Sequence, residues 1–285
     1  MIEPTQHVVY QADSRDLSFV PDRSVHLVVT SPPYGALKRY EEHPDQLGHI
    51  EDYEEFLVQL DRVWSECERV LVAGGRIACV VGDICVPRRR GGRHYVLPLS
   101  ADIQVRARAL GLDALTPIRW LKVSNIKLEA SNSARFLGKP NLPNGIVKND
   151  LEHILFLRKP GGYRKPTAEM EARSRITTDD YEKWFSPIWR VGGASTREHP
   201  APYPREIAHR LVRMFSFAGD VVLDPFAGTG TTSLAASELG RHSIAVEIEP
   251  KYVDLIERRL GREPLGGTEV RFVREPEPAV AAAAA

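Results

Sequence analysis

The sequence predicts an α/β fold in which a doubly wound, mostly parallel sheet carries helices on both faces. Strand patterns alternate with helix patterns through most of the 285 residues, which is typical of parallel sheets. Several strand segments are continuously apolar, as expected for strands buried on both faces. The predicted strands are VHLVVT, GGRIACVVGD, EHILFLRK, DVVLDPF and HSIAVEIE.

Five helices are predicted between and after these strands. The first lies in DYEEFLVQLDRVWSECERVLVAGG, where apolar residues recur at helical spacing, Asp52 is the expected N-cap and Gly74 the expected end. We expect Trp64 and Cys67 to lie on its buried face. The other helices are expected from about Pro98 to Leu110, from Pro204 to Phe215, after the glycine turn at 228 to 230, and from Pro250 to Leu260.

Two polar stretches interrupt this alternation. Residues 122–150 are rich in Asn, Ser, Gly, Pro and Lys and predict a long loop that is mobile or ordered by a ligand. A similar stretch covers 159–187. The tail EPEPAVAAAAA has low complexity and is expected to lie outside the fold. We therefore predict one domain over 1–265, with insertions at about 86–96, 122–150 and 159–190, followed by a tail over 266–285.

Composition restricts the class of protein. The 38 basic and 38 acidic residues give no net charge, so any nucleic-acid face must be local. The three cysteines form no CxxC pair, which predicts a reduced, cytoplasmic protein without a disulfide framework or a zinc site. No stretch approaches the roughly 18 apolar residues of a membrane span, so a soluble protein without membrane contact is expected.

The segment VVLDPFAGTGTT predicts a ligand-binding turn. A strand ends at Asp224, a tight turn follows through Gly228 and Gly230, and a helix then begins, whose first N–H groups are free to bind a ligand. The next strand ends in Glu247, where an acid would meet a ribose diol. The third glycine of a dinucleotide motif is missing, and the acid before the turn would repel a pyrophosphate. S-adenosylmethionine, a cationic amino acid joined to a nucleoside, fits both ends.

The segment VHLVVTSPPYG predicts a rigid platform at the end of a strand. Neither proline supplies a backbone N–H, so the strand must stop at Thr30. The Ser31 hydroxyl and the Pro32 carbonyl could accept the two hydrogens of an aromatic amino group, while Tyr34 could stack on its ring. Such acceptors would favour the pyramidal amine that attacks a sulfonium methyl group. A strand ending at a Pro-Pro turn, with Tyr34 in the core, is the alternative.

Together, TSPPYG and DPFAGTGTT resemble the catalytic and cofactor motifs of the DNA amino-methyltransferases, in the β-type order with the catalytic motif first. ADSRDL, GGRIACVVGD, NDLEHILFLRK and EHPAPYPREIAHRLV resemble further motifs of that family in the same order. The resemblance implies a seven-stranded Rossmann-like sheet, with a catalytic half at about 1–160 and a cofactor half at about 199–265. It also implies S-adenosylmethionine as the cofactor and no metal.

The resemblance assigns site residues. The implied catalytic residues are Ser31, Pro32, Pro33 and Tyr34. The implied cofactor-binding residues are Asp13 (against the adenine), Thr30, Asp224, Pro225, Phe226, Ala227, Gly228, Thr229, Gly230, Thr231, Glu247 and Ile248.

The residue before Pro-Pro bears on the target base. Ser-Pro-Pro-Tyr is typical of cytosine-N4 methylases and Asp-Pro-Pro-Tyr of many adenine-N6 enzymes, so Ser31 favours cytosine N4. Many adenine-type relatives have Lys where this chain has Tyr203, which agrees with cytosine. Adenine N6 is the nearest alternative, and an RNA methylase or an inactive DNA-binding module are the remoter ones.

The partner implied by this family is double-stranded DNA, whose target base is flipped into the pocket over Tyr34. Basic residues of the insertions are the candidates for DNA contacts. They are Arg88, Arg89, Arg90, Arg93, Lys127, Arg135, Lys139 and Lys148, with Arg164, Lys165, Arg173 and Arg175 from the second polar stretch. The enzyme could serve a restriction-modification system with a cognate endonuclease or act alone, as a monomer or a homodimer.

Overall fold

The computed structural model describes residues 4–35, 45–122, 147, 149–194, 203–262 and 268–279. Within these ranges the strands are β1 (Gln6–Gln11), β2 (Val25–Thr30), β3 (Leu71–Val81), β4 (Ile84–Val86), β5 (Tyr95–Leu97), β6 (Asp113–Lys122), β7 (Leu151–Arg158), β8 (Ile188–Val191), β9 (Val221–Asp224), β10 (His242–Glu247) and β11 (Glu269–Val273).

The helices alternate with these strands, as predicted. They are α1 (Tyr53–Val70), α2 (Arg88–Gly91), α3 (Leu99–Ala109), α4 (Ala168–Ser174), α5 (Thr178–Trp184), α6 (Arg205–Phe215), α7 (Thr231–Glu238) and α8 (Pro250–Arg262), with one turn of 3-10 helix at Leu47–His49. All five predicted helices are present. In the described part of the chain, no helix combines the length and the apolar character that crossing a membrane requires.

In the described part of the chain, nine strands form one mixed sheet in the order β11-β1-β10-β9-β2-β3-β7-β6-β8, and β4 pairs with β5 in a separate hairpin. Only β7 runs antiparallel to its neighbours, β3 and β6. The expected mostly parallel, doubly wound sheet is confirmed, but the described residues alone give it nine strands, more than the seven expected. Short edge strands supply part of the excess: β8 pairs with β6, and β11 pairs with β1.

Helices cover both faces of the sheet. On one face, α1 and α3 bury Trp64, Cys67 and Ile103 against β2 and β3. On the other face, α6 and α7 pack Leu211 and Ala235 against the same strands, and α8 packs beside them over β1 and β10. Helices on both faces exclude water from the sheet, as is usual for parallel sheets.

Helix α1 begins as predicted and ends earlier than predicted. The Asp52 side chain accepts a hydrogen bond from the Glu55 backbone N–H at 2.8 Å and so caps the first turn. The helix ends at Val70, where β3 starts without a loop. Leu71 pairs with Val25, so pairing with the sheet replaces the helical hydrogen bonds that the pattern predicted up to Gly74.

Two segments that were expected to lie outside the framework contribute to it. The stretch 159–190 contains α4, α5 and the start of β8, and it buries Trp184 and Trp189. The tail 266–285 contains β11, so the expected domain end at 265 is too early. The loop predicted at 122–150 lies largely outside the described residues.

The sheet order brings the two sequence motifs together. Strands β2 and β9 are neighbours, with Leu27 paired to Val222 and Val28 to Leu223. From β2 the chain continues to β3 on one side, and from β9 it continues to β10 on the other. The loops that follow β2 and β9 therefore diverge and leave a crevice at the carboxyl ends of the strands, which is where open α/β sheets bind ligands.

Candidate active site

A cleft occupies this crevice and encloses about 620 Å³ of non-protein space, counting its open mouth. Nine of the predicted site residues line it: Asp13, Ser31, Pro32, Pro33, Pro225, Phe226, Gly228, Glu247 and Ile248. We call it the cofactor cleft.

Glu247 is the most strongly perturbed carboxyl group of this cleft. Its side chain is 8% exposed, and its two oxygens accept backbone hydrogen bonds from Gly228 at 2.7 Å and from Glu249 at 3.0 Å. Burial raises the pKa of Glu247 to about 7, although these two hydrogen bonds oppose the shift. Each oxygen keeps a further lone pair, so the carboxylate can accept two more donors, as the two hydroxyls of a ribose would supply.

Asp224 lies beneath the cleft and does not line it. Its side chain is 1% exposed and accepts hydrogen bonds from the hydroxyls of Thr30 and Thr232, both at 2.7 Å, and from the Phe226 backbone N–H at 3.1 Å. The Tyr203 hydroxyl adds a longer bond at 3.4 Å. Burial raises the pKa of Asp224, and these hydrogen bonds oppose that shift. The acid thus joins the ends of β2 and β9 rather than facing a ligand.

The conformation of the glycine turn requires glycine at two positions. Gly228 and Gly230 both have positive φ angles, 51° and 77°. A Cβ atom on Gly230 would lie 3.1 Å from Ile256 of α8, so the turn also packs closely against that helix. Ala227 belongs to the core beneath the turn. Of the predicted cofactor residues, Thr30, Asp224, Ala227, Thr229, Gly230 and Thr231 do not line the cleft.

Asp13 lines the cleft, but it also pairs with a neighbouring arginine. The Arg15 side chain donates from Nε to Asp13 Oδ2 at 2.8 Å, and the Arg15 backbone N–H donates to Oδ1 at 2.9 Å. This pairing raises the pKa of the Arg15 guanidinium. The orientation of the Asp13 carboxylate is therefore fixed before any ligand arrives.

Sequence reasoning missed several residues of this cleft: Ser14, Asp45, Gln46, Leu47, Val246 and Tyr252. Ser14 lies in the motif ADSRDL and Val246 in the strand HSIAVEIE, but nothing in those segments marked these two residues as part of the site, and the other four lie outside the quoted motifs. Tyr252, for example, lies in the first turn of α8 and reads as a packing residue of an amphipathic helix. Only the tertiary structure brings it to the cleft.

The segment Ser31–Tyr34 lies between two clefts. Ser31, Pro32 and Pro33 line the cofactor cleft, whereas Tyr34 lines a second cleft. The Tyr34 hydroxyl accepts a hydrogen bond from the Gly82 backbone N–H at 3.2 Å, which fixes the ring at the end of β3. The Ser31 hydroxyl makes no hydrogen bond to any described residue, and the side chain is only partly buried.

The second cleft, called here the Tyr34 cleft, contains about 950 Å³ of non-protein space including its mouth. Tyr53, Phe56 and Tyr95 give it aromatic walls, and Arg90 lies at its edge. The Tyr53 hydroxyl donates to Asp102 at 2.6 Å, and burial raises the pKa of Tyr53 out of its ordinary range. The hydroxyl therefore stays protonated.

The candidate DNA-contacting residues fall into three groups. Arg88, Arg89, Arg90 and Arg93 are exposed on α2 and the β4–β5 hairpin, which follows β3 at the same edge of the sheet as Ser31. Lys127, Arg135, Lys139 and Lys148 lie outside the described residues. The third group comes from the second polar stretch and contains Arg164, Lys165, Arg173 and Arg175. Arg164 and Arg175 line a different cleft at the amino ends of the strands, so these two do not share an edge with the site.

The chain matches the family model described as DNA methylase over residues 25–258, which include β2, β9, the Tyr34 cleft and all of the cofactor cleft except Asp13 and Ser14. The chain belongs to the DNA methylase family. The methylase is 36% identical over 288 residues to the type II methyltransferase M.MjaI of Methanocaldococcus jannaschii, covering 90% of this chain and 92% of that protein. The predicted resemblance is therefore confirmed at the level of the family.

Solved structures agree with this assignment. The methylase is 48% identical to TTHA0409 of Thermus thermophilus, assigned to the DNA modification methylases and solved in complex with S-adenosyl-L-methionine. The TM-score is 0.78, with coverage of 96% of this chain and 100% of that chain. The PvuII DNA methyltransferase (cytosine-N4-specific) has a TM-score of 0.64 at 19% identity, covering 94% and 96% of the two chains, so it shares the fold.

S-adenosylmethionine is the cofactor of this family, and the residues of the cofactor cleft fit it. The buried Glu247 carboxylate has lone pairs for a ribose diol, and Phe226 offers an aromatic face beside it. Among the described residues, no cluster of three His, Cys, Asp or Glu side chains could hold a metal ion. Membership of this family identifies the reaction as methyl transfer to DNA. It does not identify the methylated atom, because the family includes enzymes specific for cytosine N4 and for adenine N6.

Proposed function

We propose that the methylase transfers a methyl group from S-adenosylmethionine to the exocyclic N4 of a cytosine in duplex DNA. The observation that carries the proposal is the position of Ser31–Tyr34 between the two clefts. A nucleobase that entered the Tyr34 cleft would have this segment between it and a cofactor in the other cleft. The segment therefore supplies the groups that act on the amine.

The cofactor cleft orients the methyl donor. With the cofactor bound, Glu247 would accept the ribose hydroxyls, Asp13 would meet the adenine, and the turn from Pro225 to Gly228 would border the nucleoside. S-adenosylmethionine supplies an electrophilic methyl group on a sulfonium centre. Thr30 and Asp224 act indirectly, because their buried hydrogen bond at 2.7 Å holds the end of β2 against the end of β9.

Ser31 and Pro32 act on the amine of the target base. The lone pair of an aromatic amino group is delocalised into its ring, so the group is a poor nucleophile. The Ser31 hydroxyl accepts one amino hydrogen and the Pro32 carbonyl accepts the other, which favours the pyramidal amine with a localised lone pair. The two prolines restrict the backbone at this point, so little reorganisation is needed when the base arrives.

The target base is proposed from the residue before Pro-Pro. Ser31 favours cytosine N4. Tyr203 agrees with this choice, because its hydroxyl belongs to the buried hydrogen-bond network around Asp224, at a position where many adenine-type relatives have a lysine. Adenine N6 is the second candidate. The Tyr34 cleft supports adenine as the second candidate, because its cavity of about 390 Å³ has room for a purine as well as a pyrimidine.

Duplex DNA approaches at the carboxyl edge of the sheet in this proposal. The exposed arginines of α2 and the β4–β5 hairpin contact its phosphates, and the target base flips into the Tyr34 cleft. Arg90 belongs to α2, between β4 and β5, and also lines this cleft. The similarity to a type II methyltransferase supports a role in restriction-modification, with an endonuclease that recognises the same site.

Analysis of modified nucleosides tests the proposal. DNA from cells that express the methylase is digested and its nucleosides are separated by mass spectrometry, with DNA from cells expressing Ser31→Ala as the background. We expect N4-methylcytosine in the first sample and much less of it in the second. N6-methyladenine without N4-methylcytosine would replace the primary proposal by the second one, and methylated RNA without methylated DNA would refute both.

A further inference from the structure

A third cleft lies at the opposite edge of the sheet from the active site. It is bounded by the start of β3, the segment before β9 and the α4–α5 segment. We call it the amino-edge cleft. The amino-edge cleft lies at the start of β2, and Ser31 follows the end of the same strand. The length of β2 from Val25 to Thr30 is roughly 16 Å at about 3.3 Å per residue. The two sites are therefore distinct.

The lining of the amino-edge cleft is positively charged. Four arginines, Arg76, Arg164, Arg175 and Arg213, face two carboxylates, Glu171 and Asp220. Asp220 is 2% exposed and is already paired with Arg164. No described carboxylate lies within ion-pair distance of Arg76, Arg175 or Arg213.

A buried arginine behind the cleft adds to this excess of charge. Arg241 donates to the Ser216 carbonyl at 2.7 Å, and Ser216 lines the cleft. Burial lowers the pKa of Arg241 to about 10; nearby Asp220 opposes the shift and the positive charge of Arg213 adds to it. An anion in the cleft would relieve this repulsion.

Aromatic side chains accompany the arginines. The Arg76 guanidinium lies 5.0 Å from the centre of the Phe215 ring, and the Arg164 guanidinium lies 5.4 Å from that of Phe217. Tyr181 and Phe185 stack on each other at 4.5 Å and are 56% and 45% exposed. Exposed aromatic faces beside arginines are the combination that holds a base and its phosphate.

Both walls of the cleft are fixed by the fold. On one side, Gly74 donates to the Lys159 carbonyl at 3.1 Å, and a Cβ atom on Gly74 would lie 2.8 Å from the Gly162 carbonyl oxygen. On the other side, Ser174 accepts a hydrogen bond from the Ala218 backbone at 2.8 Å. The arginines thus project from a preformed site, which lowers the cost of binding.

We propose that the amino-edge cleft binds a nucleotide unit, with its phosphate on Arg175 and Arg213 and its base against Tyr181 and Phe185. Arginine suits the phosphate because its planar guanidinium offers paired N–H donors. The unit comes from a free nucleotide or from an unpaired strand of nucleic acid, which share this chemistry. The duplex whose base enters the Tyr34 cleft lies at the other edge of the sheet and does not reach it.

Photo-crosslinking and competition test this proposal. The full-length protein is irradiated with a short oligo(dT) that contains 5-iododeoxyuridine, and the adducts are located by mass spectrometry of the peptides. Fluorescence anisotropy then measures the affinity for labelled oligo(dT), with dTMP and inorganic phosphate as competitors. The variants are Arg175→Gln, Arg175→Gln combined with Arg213→Gln, and Tyr181→Ala. Arg108→Gln is the matched control, since Arg108 is exposed on α3 and lies outside the cleft.

We expect adducts on the α5 peptide and, for each single variant, about a tenfold weaker affinity. Arg108→Gln should bind as the parent protein does, and methyl transfer to duplex DNA should be unchanged in all variants. Competition by dTMP identifies a free nucleotide as the source, whereas competition by oligo(dT) alone identifies a strand. Adducts confined to the Tyr34 cleft, equal binding by the variants, no binding, or competition by phosphate as strong as by dTMP would each overturn the proposal.

Discussion

Ser31 and Glu247 show how differently two site residues depend on their surroundings. Ser31 follows a buried strand and precedes two prolines, so its position is fixed by its own segment of chain. Glu247 is fixed by partners from elsewhere, since the Gly228 N–H that it accepts belongs to the turn after β9. The hydroxyl of Ser31 is left without a described partner, while the carboxylate of Glu247 is half satisfied before a ligand binds.

The first prediction concerns Ser31→Ala. Removal of the hydroxyl takes away one of the two acceptors for the amino hydrogens, so kcat for methyl transfer should fall about a hundredfold. The affinity for S-adenosylmethionine should stay within about twofold, because the proposed contact is to the base. Transfer of labelled methyl groups to duplex DNA measures kcat, and calorimetry measures the cofactor affinity.

Ser18→Ala is the matched control for this variant, because Ser18 is an exposed serine that lines neither cleft. It should retain full activity. Undiminished methyl transfer by Ser31→Ala would refute the catalytic role of the hydroxyl.

The second prediction concerns the pH dependence of cofactor binding. Burial raises the pKa of Glu247 to about 7 from an ordinary value of 4.5. Since the ionised carboxylate accepts the ribose hydroxyls better than the protonated one, affinity for S-adenosylmethionine should rise as the pH rises through about 7. Calorimetric titrations at a series of pH values measure this, and Glu247→Gln should show no such midpoint and should bind more weakly than the parent protein above about pH 7.

The raised pKa of Glu247 also predicts that the stability of the cofactor-free protein falls as the pH rises, opposite to the trend in cofactor affinity. The folded state holds the Glu247 proton up to about pH 7, whereas the unfolded state releases it near pH 4.5. The stabilisation that this group provides is thus fully present below pH 4.5 and is lost as the pH rises to about 7. Urea unfolding at a series of pH values measures the free energy of unfolding. Over this window it should fall more steeply with pH for the parent protein than for Glu247→Gln, and equal slopes would contradict the assignment.

At the scale of elements, β8 shows why an edge strand can be hidden in a polar sequence. Its four residues alternate between exposed and buried, with Ile188 54% exposed and Trp189 1% exposed. The Trp189 indole donates to the Trp184 carbonyl at 2.9 Å, and Trp120 of the neighbouring β6 donates to the Val191 carbonyl at 2.9 Å. The two tryptophans hold the strand against the sheet, although the segment around it carries many charges.

The third prediction concerns this strand. Trp189→Ala should lower the free energy of unfolding by about 3 to 5 kcal/mol, because it removes a large buried side chain and leaves a cavity. Ile188→Ala, on the exposed face of the same strand, should change it by no more than about 0.5 kcal/mol. Urea unfolding followed by far-ultraviolet circular dichroism measures both, and equal effects would show that the alternation in β8 does not determine its packing.

At the scale of the whole molecule, charge is distributed unevenly despite its zero sum. The exposed arginines of α2 and the β4–β5 hairpin lie at the carboxyl edge of the sheet, and the arginines of the amino-edge cleft lie at the other. DNA that approaches the active site therefore meets a local positive surface. Counterion release from DNA depends on such local contacts rather than on the net charge.

The fourth prediction concerns this surface. Arg88→Gln combined with Arg89→Gln should weaken duplex binding and reduce the slope of log K against log salt by about 0.9 for each phosphate contact that is lost. Arg258→Gln, an exposed arginine of α8, is the matched control and should leave the slope unchanged. Filter binding at a series of salt concentrations gives the slopes, and an unaltered slope in the double variant would place the DNA elsewhere.

The sequence by itself determined the alternation of strands and helices, the cap at Asp52, the stop after Thr30 and the family. These features depend on short segments of chain, in which spacing, prolines and glycines dictate the local conformation. Tertiary structure alone decided the nine-stranded sheet, the place of β8 and β11, and the burial of Asp224, because strand pairing and burial depend on partners far apart in the chain. It also placed Ser31 and Tyr34 on two different clefts, and Arg175 at the edge opposite to the one where DNA was expected.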